Sequence, residues 1–319
     1  MEDFKKISLL KRRKLAIEQL VKYYSELRKY NYNNGQNLEY INVRKKIHWL
    51  ITIILKIDQI ISREKIVVIN DLHDGNSKKP KIFACTHIGG NDIQRAFQII
   101  NDHAYLMLGD PGILYRKIIY QGLRMNGVIP LETTDREDRK IAYNRSVELL
   151  NKGGNLLIYP EGAWNVSPNV FVMKLFTGTV RIAGETGAEI IPIAIEQYGD
   201  TFYFNIGKNY TVPENYLDIA QDLTDELREK LATLKWEIML TQPELKREEI
   251  PTLECFQNKI VERCNYGYGF SLQDALNESF HDKNIVTEEE AFAFLEKLDI
   301  NLNNAFLIKD GLELVLRKK

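Results

Sequence analysis

The sequence predicts an α/β protein with a mostly parallel central sheet flanked by helices, an N-terminal helical segment and a small C-terminal tail of helices with some β-structure. Three observations predict it. From Lys65 onward, short β-branched or apolar runs alternate with amphipathic stretches of helical length, the pattern of strands joined by crossover helices. The chain has 319 residues, 44% hydrophobic and 27% charged, which supplies a sizeable core and excludes disordered, collagenous and disulfide-scaffold chains. No uncharged apolar run reaches about 18 residues, so no spanning helix is expected.

Residues 1–64 read as a basic amphipathic helical segment. Ala16, Leu20, Tyr23, Leu27 and Tyr30 recur at spacings of four and three, one side of a helix that NYNNGQN breaks. The stretch Ile47 to Ile61 is apolar at 10 of 15 positions and follows Arg44, Lys45 and Lys46. Its polar exceptions His48, Thr52, Lys56 and Gln59 form a narrow helical stripe, with Asp58 off it. That combination suits a helix lying in a membrane interface and equally a helix packed against the sheet with one wet edge.

Residues 65–242 form the α/β domain. KIVVIN, KIFACT, AYLML, GVIPL, NLLIY, EIIPIAIE and TFYFNI read as strands, and residues 91–101, 112–124, 136–152 and 174–186 as the helices between them. A helix from about Leu217 to Leu240 closes the domain, and Pro243 ends it. Residues 243–319 form a tail of short acidic helices, among them TEEEAFAFLEKL with Thr287 as N-cap and Glu290 at the capping-box position. NAFLIKDGLELVL suggests a hairpin turning at Asp310 and Gly311.

Net charge is −1, yet residues 1–65 hold 15 Lys or Arg against 7 Asp or Glu. A basic end beside apolar helical stripes suits attraction to an anionic lipid surface better than nucleic-acid binding. The start, MEDFKKISLLKRRK, lacks a secretory h-region, and Cys85, Cys255 and Cys264 show no metal-ligand spacing. A cytoplasmic protein peripherally associated with the inner face of the membrane is expected.

The stretch KIFACTHIGGNDIQRAFQII carries the chemistry. A buried strand ends at Thr86, two glycines give a tight turn, and a helix opens at Asn91, a candidate N-cap with Gln94 three residues on. His87 and Asp92 therefore flank a strand's carboxyl end and a helix start, where α/β proteins hold ligands. The four intervening residues can fold back so that the carboxylate accepts from one imidazole nitrogen. The other nitrogen is then free to take a proton, as in a triad whose nucleophile comes from the substrate. A capped loop with a helix-dipole aspartate is the plainer alternative.

Three further blocks follow: GVIPLET, YPEGAW and IIPIAI. With THIGGND they resemble, in order and spacing, the blocks of the glycerolipid or lysophospholipid acyltransferases (1-acylglycerol-3-phosphate acyltransferase-like). Those blocks are His-x-x-x-x-Asp, a Gly-x-x-Phe-Ile-x-Arg type block, Phe-Pro-Glu-Gly-Thr-Arg and a Val-Pro-Val type strand. The resemblance covers about residues 80–210. It implies that His87 is the general base that deprotonates an acceptor hydroxyl for attack on an acyl thioester, with Asp92 holding its tautomer. It implies that Glu161 and Gly162 line the acceptor site, that the turn including Gly127 and Pro130 shapes it, and that acyl-CoA or acyl carrier protein is the donor, with no metal and no resident cofactor. The implied acceptor is a lysophospholipid or related hydroxyl compound. The family's second and third blocks usually end in arginines suited to phosphate. Those positions are Thr133 and Trp164 here, so Trp164 is expected to line the site, and Arg136 and Lys174 are candidate replacements alongside Arg124, Arg139 and Arg181.

Two other classes remain open from sequence. Asp71-x-His73 after KIVVIN, with Gly109-Asp110, suggests a metal-dependent phosphoesterase, although its later His-rich blocks are missing. The departures at Thr133 and Trp164 also fit a non-catalytic lipid-binding relative.

Overall fold

Every apolar run singled out above becomes a strand of one seven-stranded sheet in the computed structural model. It describes residues 6–12, 14–38, 40–100, 102–109, 111–115, 120–165, 170–244, 299–302, 304–305 and 311–317. The strands are β1 (Lys65–Asp71), β2 (Lys81–Cys85), β3 (Tyr105–Gly109), β4 (Val128–Leu131), β5 (Leu156–Ile158), β6 (Glu189–Tyr198) and β7 (Thr201–Ile206). Their order is β1-β7-β6-β2-β5-β3-β4. The five strands β6, β2, β5, β3 and β4 run parallel. A two-residue turn, with Gly199 at φ 57°, sends β7 back antiparallel to β6, and β1 runs parallel to β7. The carboxyl ends of β2, β5, β3 and β4 thus share one edge of the sheet, and that of β1 lies at the opposite edge.

The helices are α1 (Leu9–Arg12), α2 (Ile17–Asn33), α3 (Ile41–Ile61), α4 (Asp92–Ile99), α5 (Tyr120–Asn126), α6 (Arg136–Asn151), α7 (Gly178–Thr186) and α8 (Ala220–Leu240). They cover both faces of the sheet. Ile82 and Ala84 of β2 pack with Leu149, Val180 and Leu227, whereas Phe83 and Cys85 pack with Ala96, Phe97, Ile51 and Leu55. Burial on two faces is why these strands are apolar throughout rather than alternating.

The chain divides into two compact units, Met1–Phe280 and His281–Lys319. Arg28 joins α2 to α6, donating to Asp138 from Nε at 3.1 Å and Nη2 at 2.5 Å. Fully buried Arg95 joins α4 to α3, reaching Glu64 at 2.6 Å and Asp58 at 2.8 Å. In the second unit, Gly311–Arg317 forms helix α9 and not the return strand of a hairpin. Leu312, Val315 and Leu316 suit a helical repeat, and Glu313 meets Arg317 four residues on. The segment TEEEAFAFLEKL lies outside the described residues.

Helix α3 buries Ile41, Ile51 and Leu55, turns most of its polar stripe to the same side and leaves much of its apolar surface outward. Its polar stripe was expected to be the wet edge, yet His48 Nδ1 meets Asn126 Oδ1 at 2.9 Å and Gln59 accepts from Gln98 at 2.9 Å, both against the body. Only Lys56 of that stripe stays exposed. The outward face carries Trp49, Ile53, Ile57 and Ile60, exposed by 63%, 45%, 52% and 76%. Polar partners at the body's surface decide which way the helix turns. No helix among the described residues is long and apolar enough to cross a membrane.

Next to this contact His103 is 3% exposed; its Nε2 donates to the Asn126 carbonyl at 2.7 Å and its Nδ1 has no partner. Burial pushes its pKa down to about 4 from 6.5, helped by His48 and Lys45. A histidine kept neutral by folding contributes stability above its unfolded pKa that is lost as pH falls toward the folded value. Lowering pH from 6.5 to 4.5 should therefore destabilise the wild type on the order of 2–3 kcal/mol more than His103→Gln. Urea denaturation of both proteins at the two pH values checks this.

Candidate active site

The turn between β2 and α4 builds the site from backbone upward. Gly89 and Gly90 adopt φ of 84° and 65°, and they carry the chain round so that Asp92 faces back toward His87. One carboxylate oxygen, Asp92 Oδ2, accepts from His87 Nδ1 at 2.7 Å and from the amides of Ile88 and Gly89 at 2.9 Å each. An oxygen already taking two amide protons can only accept the third, so Nδ1 of His87 carries its hydrogen, and in the neutral ring Nε2 is the bare nitrogen. The expected N-cap at Asn91 does not form. Its amide donates to Glu64 at 2.8 Å, and Asp92 serves the turn's amides instead.

Aromatic and backbone contacts hold the imidazole. The Tyr159 ring lies 4.2 Å from it and the Trp164 ring 6.1 Å, centroid to centroid. Trp164 also packs on Gly89, where an added Cβ would meet the indole at 3.2 Å, so the glycine admits the indole. The His87 carbonyl accepts from the Asn165 amide at 2.8 Å.

Glu161 is held by backbone amides of two separate segments. It is fully buried, and its two oxygens accept from the His87 amide at 3.0 Å and the Met173 amide at 2.9 Å. Burial raises its pKa, opposed by Lys235, the two amides and His87. The carboxylate therefore shapes the site from beneath, tying the β2 turn to the long segment before α7. Both partners are backbone groups distant in sequence, which no residue spacing signals. Gly162, at φ 72°, has the Phe176 ring where a Cβ would stand.

The remaining expected residues scatter. Gly127 sits just before the amino end of β4, and its absent Cβ makes room for the Tyr105 ring, which a Cβ would meet at 2.8 Å. From strand rise and spacing it lies roughly 20 Å from His87, at the other edge of the sheet. Pro130 pairs with Leu108 near the carboxyl end of β4, at the proper edge but three strands from β2. Thr133 follows, its side chain close to Gly109 at the end of β3, and the exposed Arg139 donates to its carbonyl. Arg136 is exposed in the first turn of α6, and Lys174 follows Met173, whose amide Glu161 holds. Cys85 is buried, which pushes its thiol pKa up and leaves it a core residue.

Among the described residues no phosphoesterase centre is assembled, and Asp110 lies outside them. Asp71 and His73 pair with each other at the edge opposite β3's carboxyl end, and no group of three or more His, Cys, Asp or Glu suited to a metal occurs among the described residues. For Glu161, replacement by Gln sets a donor against one of two buried amides. Glu161→Gln should lower unfolding stability by about 1–3 kcal/mol, measured in urea. A carboxylate that only met an acceptor would leave stability unchanged.

Known proteins share part of this sequence and its fold. Residues 64–196 match the model of the Acyltransferase family. The chloroplastic 1-acyl-sn-glycerol-3-phosphate acyltransferases BAT2 of Brassica napus and LPAT1 of Arabidopsis thaliana are each 26% identical over 120 residues. The match takes in 38% of this chain and about a third of each relative, 34% and 33%. The crystal structure of the 1-acyl-sn-glycerophosphate acyltransferase PlsC from Thermotoga maritima superposes with a TM-score of 0.51 at 15% identity, covering 71% of this chain and 98% of that one. The mostly parallel sheet with flanking helices is the fold of that acyltransferase. The resemblance to the 1-acylglycerol-3-phosphate acyltransferase-like family, read first from four motif blocks, is thereby borne out over residues 64–196.

Proposed function

We propose that the protein is an O-acyltransferase that moves a fatty acyl group from acyl-CoA or acyl carrier protein to a hydroxyl of a lysophospholipid or related acceptor. The observation that carries this reading is the imidazole of His87, held by Asp92 through Nδ1 with Nε2 bare at the carboxyl edge of the sheet. Nε2 takes the acceptor's proton as the oxygen attacks the thioester carbonyl, the carbon–sulfur bond breaks, and the imidazolium returns the proton to the departing thiolate. The products are an ester and a thiol. Asp92 keeps the ring oriented and stabilises its charged form. No covalent enzyme intermediate is needed, and no metal or resident cofactor takes part.

The acceptor is a lipid, and the reading includes peripheral binding at an anionic inner membrane face. The outward apolar face of α3 supports it, since each isoleucine buried in the interface contributes roughly 2 kcal/mol, and Lys46 and Lys56, both exposed on the same helix, add about 1 kcal/mol each at an anionic surface.

The test is thiol release from acyl-CoA over vesicles containing a lysophospholipid. Wild type should turn over, His87→Ala should be slower by about 10² to 10⁴ or more while folded, and Asp92→Asn should fall in the same direction. Ile53→Glu with Ile57→Glu should slow the reaction on vesicles and weaken sedimentation with anionic liposomes while sparing a monomeric acceptor. Transfer unaffected by His87→Ala contradicts the mechanism, and no transfer to any acceptor contradicts the activity, leaving a lipid-binding relative.

A further inference from the structure

The turn that carries His87 fixes its own shape but not its place on the body. Asp92 Oδ2 bonds the His87 ring and the amides of Ile88 and Gly89, all within the turn. Gly89 and Gly90, both at positive φ, give the chain there little stiffness of its own. Its attachments therefore decide where the imidazole stands. At one end the His87 amide donates to Glu161 and the His87 carbonyl accepts from the Asn165 amide. At the other end the attachment is Glu64. Its Oε1 accepts from the Asn91 side-chain amide at 2.8 Å and its Oε2 from Arg95 Nε at 2.6 Å. Arg95 lies one helical turn on, its amide donating to the Asn91 carbonyl at 3.0 Å, so this carboxylate spans the first turn of α4, in which Asp92 lies. Asparagine is a preferred N-cap, yet Asn91 makes no side-chain cap bond and gives its amide to a residue 27 positions upstream. Glu64 is itself held between α3 and β1. Its side chain is 7% exposed, its amide donates to the Gln59 carbonyl at 3.2 Å, and the next amide, of Lys65, donates to the Asp200 carbonyl at 2.8 Å.

We propose that Asn91 is a positioning residue for the His87–Asp92 pair, its amide tying the far end of the turn to Glu64 so that the Asp92 carboxylate stays on His87 Nδ1. Only the kinetic consequence rests on the acyltransferase reading. Asn91 is 8% exposed and adjoins Asp92, so it acts through that carboxylate and not on the reacting atoms. A bond from an amide to a largely buried carboxylate is charge-assisted, which suits it to hold one geometry. Arg95 is shared among Glu64, Asp58 and Gln98 and secures α4 to α3. The Asn91 bond secures the residue beside Asp92. Without it His87 is still anchored through Glu161, while Asp92 is free to shift with the start of α4. That shift lengthens the contact with Nδ1 and lets the tautomer with hydrogen on Nε2 form.

Asn91→Asp in the full chain tests this at about pH 8, where both carboxylates are ionised. It sets an oxygen and a charge against Glu64 Oε1 where the amide donated. Adding Glu64→Gln turns the pair round, with the new amide donating to the new carboxylate and its oxygen still accepting from Arg95. The single variant should lower kcat by about 10- to 100-fold with KM within about threefold of wild type, and the double variant should regain most of the loss. The ring ¹⁵N shifts of His87 should follow, averaged between tautomers in Asn91→Asp and as in wild type in the double variant. Asn91→Ala removes the donor without adding charge, should fall in the same direction, and decides the matter if Asn91→Asp does not fold. Wild-type kcat and shifts in the single variants, even with stability lowered, overturn the proposal, and so does a loss that Glu64→Gln does not recover. The shifts need no turnover, so absence of acyl transfer from the wild type would count against the proposed function and not against Asn91.

Discussion

Oδ2 of Asp92 is one oxygen with three tasks: it takes the His87 ring proton, and it takes the amides of Ile88 and Gly89. The turn geometry and the tautomer of the base therefore share a single constraint. Two positive-φ glycines allow the chain to make that turn, and the Trp164 indole fits only because Gly89 has no side chain. Glu161 completes the arrangement from below by taking the amide of His87 itself. Two buried carboxylates thus hold the catalytic candidate on both sides, largely through backbone amides.

The same helix that carries Asp92 also carries Arg95, one turn on, and through it α4 is bound to α3. Arg95 is fully buried and paired with Asp58 and Glu64, so losing the guanidinium would leave buried charge unmatched and cost about 3–5 kcal/mol. The apolar outer face of α3 is thereby fixed relative to the His87 turn. A lipid surface met by Trp49, Ile53 and Ile57 would be presented at a set height to the edge of the sheet where His87 sits.

Much of the fold was legible in the sequence because strands buried on two faces run apolar without alternation, as IFAC and IIPIAI do. The pairing of His87 with Asp92 was legible too, as one of two readings that a four-residue loop with two glycines permits. What was not legible depends on contacts distant along the chain. The pattern of α3 identifies two faces but not which one meets the body, and that is settled by Asn126 and Gln98. Glu161 reads as an acceptor-lining carboxylate until its partners are known, and these are amides 74 and 12 residues away. Gly127 belongs to a recognisable block, yet a strand's length separates it from the carboxyl edge. The tail's supposed hairpin failed because a leucine-rich heptapeptide suits both periods, and a helix formed.

The central claim is that Asp92 fixes His87 with hydrogen on Nδ1 and leaves Nε2 bare for the acceptor. The ring ¹⁵N chemical shifts of His87, in uniformly labelled protein at a pH where the ring is neutral, measure this directly. The account predicts a protonated, pyrrole-type Nδ1 and an unprotonated, pyridine-type Nε2, with the assignment lost or reversed in Asp92→Asn. A wild-type ring with its hydrogen on Nε2 would contradict it.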